Sequence, residues 1–399
     1  MSKPRLIAQA LAITLGLGST LSLEAAVDGT VHQQDPYENL LVSALDKIAT
    51  GELDEAIRSV EDLISSKPNF KLAQMVYGDL LMAKSNGITG FGTPEKSKEA
   101  IQDLMDEAKA RWSHFDQHPQ EGLVPKYLLA LEEKQKKVIV VDTKRSRLFL
   151  YENKSGKPEL LEDFYISIGK NGAVKWKEGD KRTPVGVYFV TEFLDPSSLP
   201  DYYGTGAYPI DYPNPWDKRL GRTGYGIWIH GNPLQSFSRA PRASDGCVTI
   251  PNQHFDLLKQ HVDINNTPVI IADGIEWAAQ TEVEKLESEL KQRLLDWEKD
   301  WESRDANRYL NYYSQDFKAG RVSYEKWAQH KRKVNEGKDF IAVELSDLSM
   351  FVYPGESDLV VVKFRQNYNS NNYKSDNRKQ QYWKREKGVW KIVYEGPSA

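Results

Sequence analysis

The sequence contains a single cysteine, Cys247, among 399 residues. Since a disulfide joins two cysteines, the chain forms none within itself, and a fold held together by disulfides is excluded. The thiol of Cys247 is therefore either a small buried side chain or a reactive group. The sequence around Cys247 provides the evidence that distinguishes these two interpretations.

A large net charge is absent as well. The 53 Lys and Arg residues nearly balance the 57 Asp and Glu residues, which leaves a formal net charge of −4. Because this balance produces no strong electrostatic field, we expect no nucleic-acid partner. The hydrophobic fraction of 40% and the charged fraction of 28% are typical of globular domains. A chain of this length is expected to form two or three of them.

Long apolar runs are missing after Val27, so no later segment is predicted to cross a membrane. One such run is present at the start, where the uncharged residues 6–23 follow two basic residues and precede a pair of alanines. This pattern predicts a secretory signal peptide over residues 1–26 and export to the cell envelope. The alternative is that the segment stays uncleaved and anchors the protein in a membrane.

Residues 27–136 show a helical pattern. Apolar and small residues recur at steps of three and four, at Leu40, Ala44, Ile48, Ala56, Ile57, Val60, Leu63, Ile64, Ala73, Tyr77, Leu80 and Leu81. The pattern resembles one tetratricopeptide-type (TPR-like) unit, and the alternative is a helical docking module that binds other envelope proteins. A third helix is expected from about Pro94 to Lys137, where the charged run EEKQKK is interpreted as a solvated helix face.

The pattern changes after this helical part. Short runs rich in β-branched and aromatic residues alternate with turn residues, which predicts strands joined by long connections. Only the stretch NQHFDLLKQHV indicates a helix. The sequence therefore predicts a mostly-β domain over residues 137–275.

Residues 276–399 begin with a long helical stretch and continue as strands, which is an α+β arrangement. An apolar stripe along that helix is interpreted as core contact, at Val283, Leu286, Leu290, Leu294, Trp297 and Trp301. The stretch WEKDWESRDANRYLNYYSQDF, which leads into the strands, is similar to the cone-shaped NTF2-like (SnoaL-like) domain. The resemblance implies a binding or positioning module, and we expect no chemistry from it. The expected protein is multidomain, with a helical, a mostly-β and an α+β part in that order.

A base for Cys247 lies nearby in the sequence. The stretch YGIWIHGN ends a predicted strand at His230, and a polar loop leads from there to Cys247. A cysteine nucleophile needs a base, most often a histidine whose tautomer is fixed by a third group, and the Gly231 carbonyl is the candidate for that group. Gly246 allows a tight turn that exposes the sulfur, and the N–H groups of Gly246 and Cys247 are candidates for an oxyanion pocket.

Three strings in this region resemble one family. They are His-Gly-Asn at 230–232, Ser-x-Gly-Cys-Val at 244–248 with Asn252 behind it, and Thr-Pro-x-Gly-x-Tyr at 183–188. All three are similar to motifs of the L,D-transpeptidase (YkuD-type) catalytic domain, and the resemblance covers about Val138 to Asp273. It implies that Cys247 is the nucleophile, His230 its base and Gly231 the carbonyl that orients the imidazole. It also implies that Ser244 and Gly246 shape the turn and the oxyanion pocket.

The chemistry that the resemblance implies is acyl transfer on peptidoglycan stem peptides in the periplasm. The thiolate attacks the bond between meso-diaminopimelate and the terminal D-Ala, D-Ala leaves, and a thioester forms. An amine from a neighbouring stem peptide then gives a crosslink, whereas water gives a trimmed tripeptide. Neither a metal nor an organic cofactor is implied.

Two positions depart from the family pattern. Asp245 stands in the place of the usual His, and Thr249 stands in the place of the usual Arg. Both of the usual side chains would favour a thiolate and a substrate carboxylate. An Asp beside the sulfur raises the thiol pKa unless its charge is paired, and Arg242 and Arg239 are the expected partners.

These departures leave hydrolysis and crosslinking as competing hypotheses. The family branch with a C-terminal NTF2-like domain includes peptidoglycan L,D-carboxypeptidases that shape helical cells. Related divergent members hydrolyse lipoprotein–peptidoglycan links. A third hypothesis, of another class, is a non-catalytic scaffold that binds peptidoglycan.

Further candidates for substrate binding surround these motifs: Arg242, Asp245, Thr249, Asn252, Tyr203 and Trp216. The aromatic loop of residues 201–226 is interpreted either as a packed loop or as a lid with stacking surfaces at Tyr202, Tyr203, Tyr208 and Trp216. The basic stretch NGAVKWKEGDKR either meets stem-peptide carboxylates or is a solvated loop. Because no cluster of Cys, Asp or Glu accompanies His254 and His261, no metal site is expected.

Overall fold

The structure is a computed structural model that describes residues 35–84, 98–116 and 122–398. The predicted signal peptide lies outside these ranges. Within them, no helix is both long enough and apolar enough to cross a membrane. The elements form an N-terminal helical module, a central domain of mostly β-structure, and a C-terminal domain in which helices pack on one large sheet.

The described part of the N-terminal module contains helices α1 Pro36–Thr50, α2 Leu53–Ser66, α3 Lys71–Lys84 and α4 Lys98–Asp116. The Asp35 side chain caps α1 by accepting a hydrogen bond from the Tyr37 N–H, and Gly51 ends this helix in the left-handed conformation with φ 87°. The apolar stripes of the helices meet in one buried cluster. The helical prediction is confirmed for these residues, and the TPR-like assignment stays a prediction.

The third predicted helix is wrong beyond Asp116, where α4 ends. The chain then forms two short strands, β1 Leu123–Pro125 and β2 Leu128–Ala130. In the charged run, Glu132 is buried 3.2 Å from the guanidinium of Arg378, and Gln135 accepts a 2.9 Å hydrogen bond from Ser349 Oγ. The run therefore packs against the C-terminal domain instead of forming a solvated helix face. Helix propensity failed here because the partners are distant in sequence.

The central domain contains strands β3 Lys137–Asp142, β4 Arg147–Lys154, β5 Lys157–Tyr165, β6 Ile168–Gly169, β7 Gly186–Phe189, β8 Ala207–Pro209, β9 Trp228–His230, β10 Arg242–Ser244, β11 Val248–Thr249, β12 Pro268–Ala272 and β13 Trp277–Ala279, with helices α5 Pro215–Arg219 and α6 Asn252–Leu258. Five strands form one sheet in the order β5-β4-β3-β12-β7. In β3, Ile139 and Val141 face one hydrophobic cluster, whereas Val138 and Val140 face another that continues into the C-terminal domain. Since side chains alternate between the faces of a strand, the continuous run VIVV belongs to a strand that is buried on both sides.

Two smaller sheets of the central domain have the orders β11-β9-β8 and β10-β6. β9 pairs in parallel with β11 and antiparallel with β8, and β10 pairs in parallel with β6. Long loops separate these short strands along the chain. The sheets thereby bring His230 and Cys247 to neighbouring strand positions.

The C-terminal domain contains helices α7 Gln280–Glu302, α8 Ala306–Leu310 and α9 Tyr324–Glu336, and strands β14 Tyr313–Ala319, β15 Val322–Ser323, β16 Ile341–Tyr353, β17 Glu356–Ser370, β18 Tyr373–Glu386 and β19 Val389–Pro397. Its sheet has the order β15-β14-β19-β18-β17-β16-β2, so one strand comes from the segment before the central domain. The apolar stripe of α7 lies in the core, where the Trp297 ring is 5.2 Å from Trp301 and 6.1 Å from Tyr309. The predicted α+β arrangement is confirmed.

The helical module docks on the central domain through buried charged groups. Glu38 of α1 accepts a 2.9 Å hydrogen bond from Arg111 of α4. It also accepts hydrogen bonds of 2.5 and 2.8 Å from Arg147 of β4. Asp163 of β5 adds a 3.1 Å contact to Arg147. The helices are thus bonded directly to the five-stranded sheet of the central domain.

Candidate active site

Strand register places the predicted nucleophile and its base on the same face of one small sheet. β9 and β11 run in parallel, with Ile229 opposite Val248 and His230 opposite Thr249. Ile229 and Val248 are buried in the core of the domain. Because side chains alternate along a strand, His230 and the residue just before β11, Cys247, point to the other face.

The turn before the cysteine is held by the side chain of Ser244. Its Oγ accepts a 3.1 Å hydrogen bond from the Gly246 N–H and donates a 2.6 Å hydrogen bond to the Cys247 carbonyl. Gly246 has φ 131°, and a Cβ there would lie 2.9 Å from the Arg182 carbonyl oxygen, so only glycine fits. Ser244 and Gly246 therefore shape the turn. The oxyanion role of the Gly246 N–H stays a prediction, and in this structure that group donates to Ser244.

His230 is oriented by the contact that the sequence predicts. Its Nδ1 lies 2.7 Å from the Gly231 carbonyl oxygen. Because a carbonyl oxygen only accepts, Nδ1 carries the proton, and the lone pair is on Nε2. Nε2 is buried and has no hydrogen-bond partner among the described residues. Burial lowers the pKa of His230 to about 4, and the Arg239 charge lowers it further against the opposing effect of Gly231. The imidazole is therefore neutral at pH 7 and able to accept a proton.

The sulfur of Cys247 forms no hydrogen bond with this imidazole. Sγ lies 3.5 Å from the Gly226 carbonyl oxygen and interacts with the backbone N–H of Trp228. Catalytic hydrogen bonds are often long or misaligned before substrate binds. The pairing of Cys247 with His230 thus stays a prediction, and the register of their strands supports it.

The thiol of Cys247 is protonated at neutral pH. Burial raises its pKa to about 11, and the Trp228 N–H opposes this rise. Asp245 raises the pKa, whereas Arg239 and Lys175 lower it. Together with the neutral imidazole, this defines a resting site without a thiolate–imidazolium ion pair. The nucleophile has to form by proton transfer during the attack.

We expect the alkylation of Cys247 by iodoacetamide to accelerate about tenfold for each pH unit between pH 7 and 9. Only the thiolate reacts, and below the thiol pKa its fraction rises tenfold per unit. The rate is measured by mass spectrometry of the intact protein, and Cys247→Ser provides the blank because the chain has no other cysteine. A rate that is constant from pH 6 to 8 would contradict the neutral pair.

Asp245 is paired, but not with the expected arginines. Its Oδ1 lies 3.3 Å from Lys170 Nζ and 3.9 Å from Lys181 Nζ, and Asp245 is exposed. Such exposed pairs are weak, although they offset the carboxylate charge near the sulfur. The basic stretch is not solvated throughout, because Lys175 is buried in a 2.8 Å ion pair with Asp180.

Asn252 was expected to bind substrate, and the structure gives it a supporting position instead. Its Oδ1 accepts hydrogen bonds from the N–H groups of Asn232 (2.9 Å) and Thr205 (3.3 Å), and its Nδ2 donates to the Asn232 carbonyl at 2.8 Å. A Cβ on Gly231 would collide with Oδ1. Asn252 therefore holds the turn whose carbonyl orients His230.

Trp216 was also expected to bind substrate, and this expectation is wrong. The indole is buried, donates a 2.7 Å hydrogen bond to Glu356, and stacks on Tyr382 at 5.7 Å. Both partners belong to the C-terminal domain, so Trp216 joins two domains. Tyr208, a predicted stacking surface, is likewise buried in the core.

Of the other candidates, Tyr203 lies closest to the predicted pair. Its ring is 4.9 Å from the His230 ring, and the pKa of Tyr203 is raised by burial and by the neighbouring Cys247. Thr249 is buried, and its Oγ1 has no partner among the described residues. Arg242 is exposed on β10. The sequence named Arg239 only as a partner for Asp245, because nothing in the pattern places its side chain near His230.

The comparisons with known proteins agree with this geometry. The family model of the L,D-transpeptidase catalytic domain (YkuD) matches residues 136–271. The central domain thus matches the catalytic domain of this family. The model of the Cds6 C-terminal NTF2-like domain matches residues 289–396. The L,D-transpeptidase domain is thus followed by an NTF2-like domain, as the sequence predicts.

Two solved structures are similar to about two thirds of this chain. Bd1075 of Bdellovibrio bacteriovorus is 29% identical, with a TM-score of 0.61, over 69% of this chain and 98% of that chain. Pgp2 of Campylobacter jejuni, a helical cell shape determining protein, is 27% identical, with a TM-score of 0.58, over 68% of this chain and 95% of that chain. No curated protein matches the chain.

Proposed function

We propose that the protein is an exported cysteine enzyme that trims peptidoglycan stem peptides between diaminopimelate and D-Ala. One observation carries this proposal. The Gly231 carbonyl orients a neutral His230, whose Nε2 lone pair is free to accept a proton, and His230 lies on β9 beside the strand β11 that directly follows Cys247, the one cysteine of the sequence. Enzymes of the L,D-transpeptidase family act on peptidoglycan, and Pgp2 is named for cell shape. Export through residues 1–26 is part of the same proposal, because peptidoglycan lies in the envelope.

In the first half of the reaction, Cys247 gives its proton to His230 Nε2 as the sulfur attacks the carbonyl carbon of the scissile bond. The carbonyl oxygen carries the negative charge of the tetrahedral intermediate. The C–N bond then breaks, and the nitrogen of D-Ala takes the proton from His230. D-Ala leaves as an amine, and the tripeptide stays on the sulfur as a thioester.

In the second half, an acceptor releases the tripeptide. A water molecule gives a proton to His230 and attacks the thioester carbonyl, and the sulfur leaves and recovers the proton. The products are the tripeptide carboxylate and the free thiol. The amine of a second stem peptide can take the place of water and give a crosslink. We favour hydrolysis, because Asp245 and the buried Thr249 lack the positive charges that the family pattern places beside the sulfur.

Purified protein incubated with disaccharide tetrapeptide is expected to release D-Ala and disaccharide tripeptide in equal amounts. The products are separated and identified by mass, and the same incubation with Cys247→Ala is the control. Dimers as the main product would favour crosslinking through the same thioester. If the wild-type protein forms neither product, the enzyme proposal fails. A lipoprotein-linked muropeptide tests the related hydrolysis of lipoprotein–peptidoglycan links.

A non-catalytic scaffold is the rival function of another class. It would hold peptidoglycan through the flanking modules, and the helical module would bind other envelope proteins. The two functions differ in one genetic result. Cys247→Ala leaves the cell shape unchanged if the protein is a scaffold, and it reproduces the deletion phenotype if the protein is an enzyme.

A further inference from the structure

The loop between His230 and Cys247 is anchored by the helical module. The ring of Phe237 lies 4.6 Å from Phe70 and 6.2 Å from Tyr37, and the Phe237 N–H donates to the carbonyl of Asn69. The next residue, Ser238, donates a 2.6 Å hydrogen bond to Glu107 of α4. The contacts of Phe237 and Ser238 with the helical module therefore fix the position of the next residue, Arg239.

The backbone of Arg239 is also tied to the strand that carries the nucleophile. Its carbonyl oxygen accepts hydrogen bonds from Tyr165 Oη at 2.9 Å and from Ser167 Oγ at 3.0 Å. Ser167 in turn exchanges backbone hydrogen bonds of 2.9 and 2.8 Å with Thr249. A side chain on a backbone fixed in this way can act at a defined point of the site.

The guanidinium of Arg239 packs on the ring of Tyr202, which in turn lies beside the imidazole of His230. Its central carbon is 4.9 Å from the Tyr202 ring, and that ring is 5.7 Å from the imidazole. Nη2 donates a 2.5 Å hydrogen bond to the Ala243 carbonyl, whereas Nη1 is buried and has no acceptor among the described residues. No carboxylate of the described residues forms an ion pair with it, although other cations of this region, Lys170, Lys175 and Lys181, all have one.

Arg239 is only partly buried, but its buried Nη1 without an acceptor is costly, so this group calls for a role. We propose that Arg239 is the fixed cation of this site, which stabilises negative charge on the Cys247 sulfur and then on the carbonyl oxygen of the tetrahedral intermediate. The part that concerns the intermediate rests on the function proposed above, whereas the part that concerns the sulfur does not.

The charges that face the sulfur agree with this role. They are the carboxylate of Asp245 between Lys170 and Lys181, the Lys175–Asp180 pair, the phenol of Tyr203 and the guanidinium of Arg239. Lys175 is paired with Asp180, and the single carboxylate of Asp245 lies between Lys170 and Lys181. Arg239 has no carboxylate partner among the described residues, and its charge lowers the pKa of both Cys247 and His230.

The test is the alkylation of Cys247 in Arg239→Gln and Arg239→Lys over pH 7 to 11. With neutral iodoacetamide, Arg239→Gln is expected to react roughly tenfold more slowly at each pH below 9, the change that one unit in the thiol pKa produces. Arg239→Lys keeps the charge and is expected to recover most of the rate. The matched control is Arg321→Gln, in an exposed turn of the C-terminal domain, which is expected to follow the wild-type profile.

A second reagent separates a charge effect from a structural one. Negatively charged iodoacetate is attracted by a fixed cation, so the ratio of iodoacetate to iodoacetamide rates is expected to fall in Arg239→Gln and to persist in Arg239→Lys. Superimposable profiles for wild type and Arg239→Gln, or equal losses in both variants, would overturn the role. If Arg239→Gln does not fold, the wild-type protein alone is tested. An iodoacetate-to-iodoacetamide rate ratio no higher than that of free cysteine would then overturn the proposed role of Arg239. If the alkylation rates change as expected but no D-Ala is released, only the proposed reaction is rejected.

Discussion

Cys247→Ala is expected to lower the rate of D-Ala release by a factor on the order of 10⁴ to 10⁶, the range for a lost catalytic nucleophile. His230→Ala is expected to cost a similar factor. With a thiol pKa of about 11, almost no thiolate forms at pH 7 unless a neighbouring base takes the proton. The measurement is kcat/KM for disaccharide tetrapeptide, with released D-Ala quantified by mass.

The double variant gives the sharper result. If the two side chains act as one unit, removing both costs no more than removing either one. Multiplied losses in the double variant would show that sulfur and imidazole act independently. His230→Ala activity within about tenfold of wild type would mean that another group takes the proton.

The matched control is Asn252→Ala, which keeps both reacting groups but removes the hydrogen bonds that hold the Gly231 turn. We expect an intermediate loss of activity, since a base that is poorly oriented still accepts protons. Thermal unfolding of each variant verifies that the fold is kept. A normal melting curve together with the full loss of activity in Cys247→Ala assigns the effect to chemistry.

Local patterns predicted those parts of the fold in which a segment carries its own signal. The run VIVV at residues 138–141 predicted a strand, and the stripe that includes Trp297 and Trp301 predicted a helix with core contacts. The charged run that contains Glu132 misled the prediction. Its burial depends on Arg378, which lies far along the chain and which no local pattern connects to it.

The same distinction applies to the site. Cys247, His230 and Gly231 follow from the chemistry that a lone thiol needs and from a specific family resemblance. Trp216 was assigned to substrate as a stacking surface of the aromatic loop, and Asn252 as a member of the family motif around Cys247. Only the coordinates show that one joins two domains and the other supports a turn. Long-range packing decided both cases.

The sequence alone could not predict whether Cys247 and His230 form a thiolate–imidazolium pair. Asp245 and Thr249 removed the two positive groups of the family pattern, but the effect on the thiol depends on what replaces them. Burial is the largest influence on the pKa of Cys247, and burial is a property of the folded loop.

The second large effect concerns stability. Glu38→Ala is expected to lower the free energy of unfolding by about 3–5 kcal/mol, the usual cost of breaking a buried ion pair by removing one partner. The side chains of Arg111 and Arg147 are 0% and 1% exposed, and that of Glu38 is 13% exposed. Without Glu38, both guanidinium groups keep only their single other carboxylates, Glu107 and Asp163.

The pH dependence of this contribution has a definite sign. Burial alone raises the pKa of Glu38, but the charges of Arg147 and Arg111 outweigh it and hold the pKa well below its ordinary value of 4.5. A carboxyl group whose pKa is lowered by folding stabilises the fold above that ordinary value, and this stabilisation is lost as the pH falls. Below pH 4.5 the wild-type protein should therefore lose stability more steeply than Glu38→Gln.

Urea unfolding followed by circular dichroism measures the change, and Glu55→Ala is the matched control. Glu55 belongs to an exposed ion pair with Lys47 at 3.8 Å, which is worth about 0–1 kcal/mol. Hydrogen exchange should show the loss in α1, in α4 and in the loop that carries Phe237, because these segments share one buried cluster. Equal unfolding midpoints for Glu38→Ala and Glu55→Ala would mean that the helical module does not depend on this ion pair for its attachment.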